Sequence, residues 1–230
     1  MMLPIGDGRT SQAQAPAARL PEKFQAWFAA RGWQPRAHQL ALVSHAQRRQ
    51  SVLLVAPTGG GKTLAGFLPT LIDLAGPDSV SGTRRGRTRG LHTLYISPLK
   101  ALAVDVARNL DAPIAEMGLP VTVETRTGDT PSDRKARQRV RPPQILLTTP
   151  ESLSLLLSYP DSVTMFEGLK TIVVDEVHAF ATGKRGDLLS LCMARLQLLA
   201  PACRRVALSA TVADPDAYRA WLAPEIGRAH

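Results

Sequence analysis

The chain has 230 residues, room for one large α/β domain with a sizeable core or for two small ones, and its 44% hydrophobic and 20% charged content places it among soluble globular proteins. Lys and Arg number 28 against 19 Asp and Glu, a net charge of +9 that favours a polyanionic partner without choosing between DNA and RNA. Two cysteines, Cys192 and Cys203, exclude a disulfide framework and have no metal-like spacing, so free thiols in a reducing interior are expected.

Residues 1–20 are rich in Ala, Gln, Gly, Pro and Ser with little apolar periodicity, and a disordered leader is expected there, with one domain over 21–230. The amino terminus lacks the apolar centre of a secretory signal, and no later run approaches membrane-spanning length. The expected address is cytoplasmic, with no membrane partner. From Pro21 the pattern becomes helical: Phe24, Trp27 and Phe28 share one face, and Gly32 ends the segment. A second amphipathic helix is predicted from Ala37 to about Arg48.

The stretch Ser51 to Leu64, SVLLVAPTGGGKTL, organises the rest. Its apolar run reads as a strand buried on both faces, as in a parallel sheet. Gly59, Gly60 and Gly61 lack Cβ atoms, so successive backbone N–H groups can converge on phosphate oxygens at the start of the next helix. Lys62 would then reach the β/γ-phosphates and Thr63 would ligate Mg²⁺, which makes Ala56, Pro57, Thr58, Gly59, Gly60, Gly61, Lys62 and Thr63 the candidate nucleotide cradle. Ala56 departs from the general pattern, which has a glycine there. The P-loop helix should run to about Leu74, and Gly76 to Gly90, with Arg84, Arg85, Arg87 and Arg89, reads as a mobile basic loop.

Further apolar segments follow at His92 to Ser97, Ile145 to Thr148, Thr171 to Asp175 and Val206 to Ser209, with a weaker one at Val121 to Thr125. Strands alternating with helical patterns imply βαβ units and a mostly parallel sheet with helices on both faces. The basic helix near Pro131 to Arg141 carries Arg134, Lys135, Arg137, Arg139 and Arg141 around most of its circumference. It reads as a mostly solvated face, with phosphate-backbone binding as the alternative.

TIVVDEVH, Thr171 to His178, delivers Asp175 and Glu176 to a strand's carboxyl end, where ligands bind in open α/β sheets. One carboxylate can hold Mg²⁺ while its neighbour orients and deprotonates a water. SPLKAL and TTPESL place Ser97, Thr149 and Ser152 at strand ends. There helices opening after Pro98 and Pro150 aim N–H groups at phosphate, and Lys100 adds a charge.

APTGGGKT, SPLKAL, TTPESL, DEVH and SAT (Ser209 to Thr211) occur in the order seen in superfamily 2 helicases, and the chain resembles their large helicase-related (Lhr) group. The wider wording, GLHTLYISPLKALAVDVARNL and GKRGDLL among it, is similar to the bacterial DEXH-box helicases termed ligase-associated. The resemblance implies a RecA-like domain that binds ATP and Mg²⁺, with Asp175 on the metal and Glu176 as general base. His178, Ser209 and Thr211 would couple nucleotide state to a second RecA-like domain. It assigns Gln39, in GWQPRAHQ, to the adenine base, with Phe28 or Arg36 beside base or ribose. Thr127, Gly128 and Asp129 match a further helicase segment, and Lys184 and Arg185 fall in a family-like loop. It further implies 3′-to-5′ translocation along single-stranded or partly duplex nucleic acid, DNA favoured, a DNA-repair setting, and ligase or nuclease partners. The chain reads as the first RecA-like domain alone, weakly active by itself. A non-catalytic nucleic-acid-binding P-loop module and an RNA-remodelling ATPase are the alternatives.

Overall fold

The computed structural model describes residues 2–5, 19–57, 59–76, 90–181 and 183–222. Seven strands form one sheet: β1 (Met2–Ile5), β2 (Ser51–Val55), β3 (Thr93–Ile96), β4 (Val123–Arg126), β5 (Ile145–Thr148), β6 (Thr171–Val174) and β7 (Arg204–Ser209), in the order β1-β2-β7-β6-β3-β5-β4. β2 to β7 run parallel, and β1 pairs antiparallel with β2. This edge strand corrects the expected leader over part of its length. Met2–Ile5 is short and apolar and can add to the otherwise open side of β2, whereas residues 6–18 lie outside the described residues.

The described helices are α1 (Glu22–Ala30), α2 (Ala37–Gln47), α3 (Lys62–Ala75), α4 (Lys100–Glu116), α5 (Ser132–Val140), α6 (Pro150–Leu157), α7 (Ser162–Phe166), α8 (Lys184–Leu199) and α9 (Pro215–Leu222), with a 3₁₀ turn at Val177–Phe180. The basic loop expected between Gly76 and Gly90, with its four arginines, falls on residues outside the described set.

The period of two in the strands divides the core. Val52, Leu54, Tyr95, Ile145, Leu147, Val173, Val206 and Leu208 face the layer made by α1 to α4, with Phe24, Phe28, Phe67 and Leu71. Leu53, Leu94, Ile96, Leu146, Ile172, Val174 and Ala207 face the layer made by α6 to α9, with Leu153, Phe166, Leu189 and Leu196. Strands buried on both faces need no polar alternation, which is why each reads as an unbroken apolar run. α3 lies so close to the sheet that a Cβ on Gly66 would sit 3.0 Å from Leu208 Cδ1.

Parallel registry brings the carboxyl ends of β2, β7, β6, β3, β5 and β4 to one edge: Val55 pairs with Ser209, Val174 with Ala207, and Ile96 with both Val174 and Thr148. Every motif singled out above, the Gln39 segment excepted, begins at that edge.

Candidate nucleotide site and nucleic-acid edge

The turn from β2 to α3 is built from glycine for two separate reasons. Gly59 and Gly61 have φ of +74° and +73°, where a side chain is strained, and a Cβ on Gly60 would meet the Pro57 carbonyl oxygen at 2.7 Å. Gly60 N–H donates to that same oxygen at 3.0 Å, and Ala56 N–H donates to Ser209 O at 3.1 Å, which ties the loop's entry to β7. Thr58 lies outside the described residues. Lys62 opens α3 with its side chain only 7% exposed, its Nζ without a hydrogen-bond partner and 3.6 Å from Glu176 Oε1. Thr63, half-buried, follows it in the first turn.

The acidic pair stands two strands away, at the end of β6. Asp175 N–H donates to Ile96 O at 2.9 Å, holding the backbone to β3. Its carboxylate accepts from Glu176 N–H at 2.9 Å and from the Tyr95 hydroxyl. Burial pushes the Asp175 carboxyl up from its ordinary range, opposed by these two hydrogen bonds. Glu176 adopts φ 46° and ψ 48°, left-handed for a residue with a Cβ. That strain turns its side chain back toward Lys62 while Asp175 stays against the sheet.

Tyr95 carries no motif, and sequence reasoning passed over it as strand filler. The available signal was a lone phenol in an otherwise aliphatic buried strand, since a buried Tyr O–H needs an acceptor. Its ring stacks on Phe67 of α3 with centroids 5.2 Å apart, and burial, then the charge of Asp175, hold its hydroxyl far above the ordinary range, so it acts as a donor only. Tyr95→Phe removes a hydrogen bond to the ionised carboxylate. The Asp175 pKa rises further, and the acid limb of any Asp175-dependent pH–rate profile is expected to move to higher pH by about one pH unit. An unmoved limb would show that the phenol does not tune this carboxylate.

His178, Ser209 and Thr211 are brought together as the resemblance implied. Ser209 Oγ donates to Thr211 O at 2.6 Å, so the 2.9 Å contact between His178 Nδ1 and Ser209 Oγ has the ring nitrogen as donor. That same Nδ1 is 3.3 Å from Glu176 Oε2, which links β7's end to the acidic pair. Gln39 lies at the other wall: its Oε1 accepts from Arg36 N–H at 2.9 Å and its Nε2 points to Gly61 O at 3.5 Å. Its amide therefore braces the start of α2 against the P-loop. Phe28, expected near base or ribose, is instead 2% exposed in the core, while Arg36 is exposed with Nη1 3.5 Å from Gly59 O.

The residues present fit a nucleoside triphosphate with one divalent cation. Lys62 offers a desolvated ammonium with no hydrogen bond of its own, and Glu176 Oε2 is likewise without one. Among the described residues no group of three or more His, Cys, Asp or Glu could hold a metal by itself. That matches a magnesium ion bound through one carboxylate and the phosphates, with Asp175 and Thr63 as its protein ligands.

At the other half of the edge the hydroxyls correct the sequence reading. Ser97 is fully buried and its Oγ donates to Leu99 O at 3.1 Å. Thr149 and Ser152 are buried and hydrogen-bond each other at 3.4 Å, and Pro98 is buried too. A hydroxyl beside a helix start serves equally well as a local cap, and here it does. Lys100 is exposed, bound to both oxygens of Asp129 at 2.9 and 3.1 Å, and Lys135 Nζ donates to Gly128 O at 2.9 Å. The ledge over β3, β5 and β4 thus consists of the first turns of α4 and α6 and of the Thr127–Gly128–Asp129 turn. Much of the basic helix is engaged internally: Arg134 and Arg137 pair with Glu124, and Arg139 lies over the Tyr159 ring and 3.7 Å from Asp161. Arg185 pairs with Glu151 at 2.6 Å, tying α8 to α6. Cys192 and Cys203 are free, as expected.

A six-stranded parallel array with a P-loop after one strand and an acidic pair two strands away defines a RecA-like nucleotide-driven motor domain. The chain belongs to the DEAD/DEAH box helicase family, whose profile matches residues 36–219. It is 40% identical over 225 residues to the Lhr helicase/uracil glycosylase of Escherichia coli K12, covering 90% of this chain and 14% of that protein. It is 38% identical over 203 residues to the ATP-dependent helicase Lhr-Core protein 2 of Thermococcus barophilus, covering 84% of this chain and 23% of that one. Its fold is similar to that of the Mycobacterium smegmatis helicase Lhr solved with ssDNA and AMP-PNP, with a TM-score of 0.77, 39% identity, and coverage of 87% of this chain and 26% of that one. The helicase MrfA bound to DNA and AMPPNP is similar at a TM-score of 0.74 and 26% identity, over 96% of this chain and 30% of that one. The chain therefore spans less than a third of the length of each of these proteins.

Proposed function

We propose that this chain is the first motor half of an ATP-dependent DNA helicase. The observation that carries the reading is Lys62 Nζ standing 3.6 Å from Glu176 Oε1, which brings the phosphate cradle and the acidic pair into one site. Lys62 and the loop amides bind the β- and γ-phosphates, and Thr63 and Asp175 hold Mg²⁺. ATP supplies the phosphoanhydride whose hydrolysis drives the cycle. Glu176 orients the attacking water and takes its proton, while His178 and Ser209 report the state of that carboxylate to the far side of the cleft.

The first turns of α4 and α6 present backbone N–H groups to one strand of nucleic acid, and the ssDNA and DNA of the two solved relatives support DNA as that strand. A second RecA-like domain is the partner that completes the nucleotide site with an arginine. The 3′-to-5′ direction, the DNA-repair setting, ligase or nuclease partners and a cytoplasmic address rest on the resemblance; among the described residues no helix is long and apolar enough to cross a membrane.

The test is ATP hydrolysis with matched ssDNA or ssRNA at fixed salt, by residues 1–230 and by a longer chain carrying a second RecA-like domain. The short chain is expected to hydrolyse ATP slowly, and the longer one about 10³-fold or more faster with ssDNA. Robust duplex unwinding by residues 1–230 alone, or equal stimulation by ssRNA, would overturn the corresponding part of the reading.

A further inference from the structure

Among the described residues, seven buried side-chain nitrogen and oxygen atoms lack a hydrogen-bond partner, and they fall in two places. His38 Nε2, Lys62 Nζ and Glu176 Oε2 surround the P-loop, where a triphosphate belongs. His92 Nε2, Thr171 Oγ1 and both terminal nitrogens of Arg204 gather instead at the opposite, amino edge of the sheet.

Their proximity follows from register. Thr93, Thr171 and Arg204 are partners in one row across β3, β6 and β7, so their side chains leave the same face. Thr93 Oγ1 meets His92 Nδ1 at 2.9 Å and Thr70 Oγ1 of α3 at 3.0 Å, which places that face beneath α3. One turn further along α3, Asp73 Oδ2 is 3.8 Å from His92 Nε2 at the half-exposed rim. Arg204 is only 6% exposed, and no ion pair joins it to any described carboxylate. The charges of Lys170 and Arg204 add to burial in holding His92 down at about 4, so its ring is neutral and can donate from Nε2 when Nδ1 accepts from Thr93.

A guanidinium taken out of water with no acceptor is among the most costly arrangements a core can hold, and an unmade partner in a native structure calls for an ion or a ligand. We propose that Arg204, Thr171 and His92 form a binding site for a small oxyanion of the phosphate class, on the opposite edge of the sheet from the nucleotide. Two parallel N–H groups of the guanidinium match two oxygens of one tetrahedral anion, and the threonine hydroxyl and the imidazole N–H supply two further donors. Asp73 at the rim accepts the proton that a phosphate monoanion carries. The P-loop helix α3 forms the roof, so occupancy stiffens the far end of the helix that begins at Lys62.

The experiment is thermal melting of the 230-residue chain in the Lys62→Ala background, so that the P-loop adds nothing, with inorganic phosphate titrated against sodium chloride at constant ionic strength. Above its Kd, each tenfold rise in phosphate is expected to raise the melting temperature by about 3–5 °C, and chloride should not reproduce this. Arg204→Met should abolish the response, and Thr171→Val, which keeps the charge and the shape, should weaken the apparent phosphate affinity about tenfold. An equal response to chloride, or a phosphate response unchanged in Thr171→Val and Arg204→Met, would overturn the site. Because the background already lacks Lys62, failure here leaves the nucleotide reading untouched.

Discussion

Lys62→Ala is expected to weaken binding of a fluorescent ATP analogue by about 100-fold or more while leaving the far-ultraviolet dichroism and the melting profile close to those of the parent chain. The side chain is desolvated, and its charged neighbour is Glu176, not a bulk-water shell. Charge-assisted hydrogen bonds to phosphate in such a site contribute about 1.5–3 kcal/mol each, and two of them account for the two decades. Little packing is lost, because the ammonium makes no hydrogen bond in the unliganded fold. The measurement also separates the motor reading from a non-catalytic binder that grips nucleic acid through its basic segments. A binder of that kind would keep its analogue affinity in the variant, and such a result would end the proposal that this loop seats a triphosphate.

The fold was legible where burial is two-sided. Ile145–Thr148 appears as expected, and Thr171–Val174 and Thr93–Ile96 differ from their expected bounds only at the ends, because a doubly covered strand leaves an apolar run that nothing else in the chain mimics. β1 was hidden because four residues next to a low-complexity stretch have no period to read, and their pairing partner is about 50 residues away.

The nucleotide site was legible for a related reason: Gly59 to Lys62 and Asp175–Glu176 are residue types that few other demands would place after buried strands. Ser97, Thr149 and Ser152 were not legible in the same sense. A hydroxyl beside a helix start satisfies a local cap and a phosphate with the same chemistry, and only burial decides between them. Tyr95 and Glu124 depend on contacts more than ten residues away, the first to Asp175 and the second to Arg137, and no spacing rule within one strand encodes either.

Gly186→Ala carries the largest expected cost to stability of any change at a glycine outside the P-loop, about 3 kcal/mol, seen as a melting temperature lower by about 6–12 °C. Gly186 is the third residue of α8, and a Cβ there would lie 2.2 Å from the Phe180 carbonyl oxygen and 3.2 Å from its carbon. Both are backbone atoms of the 3₁₀ turn that follows the acidic pair, so no side-chain rotation relieves the clash; α8 has to lift from the turn. Phe180, Leu189, Cys192 and Leu196 are packed in the same layer and would lose contacts as it lifts. Gly118→Ala is the matched control, for that glycine has φ +55° with nothing within 4 Å of an added Cβ, and its cost is the left-handed backbone alone, about 1 kcal/mol. If the two variants melt together, the close seating of α8 on the turn is wrong. If Gly186→Ala melts lower as expected, its ATP hydrolysis should fall by more than the loss of folded chain explains. His178 sits in that same turn with its Nδ1 within 3.3 Å of Glu176, so displacing the turn displaces the group that contacts the general base.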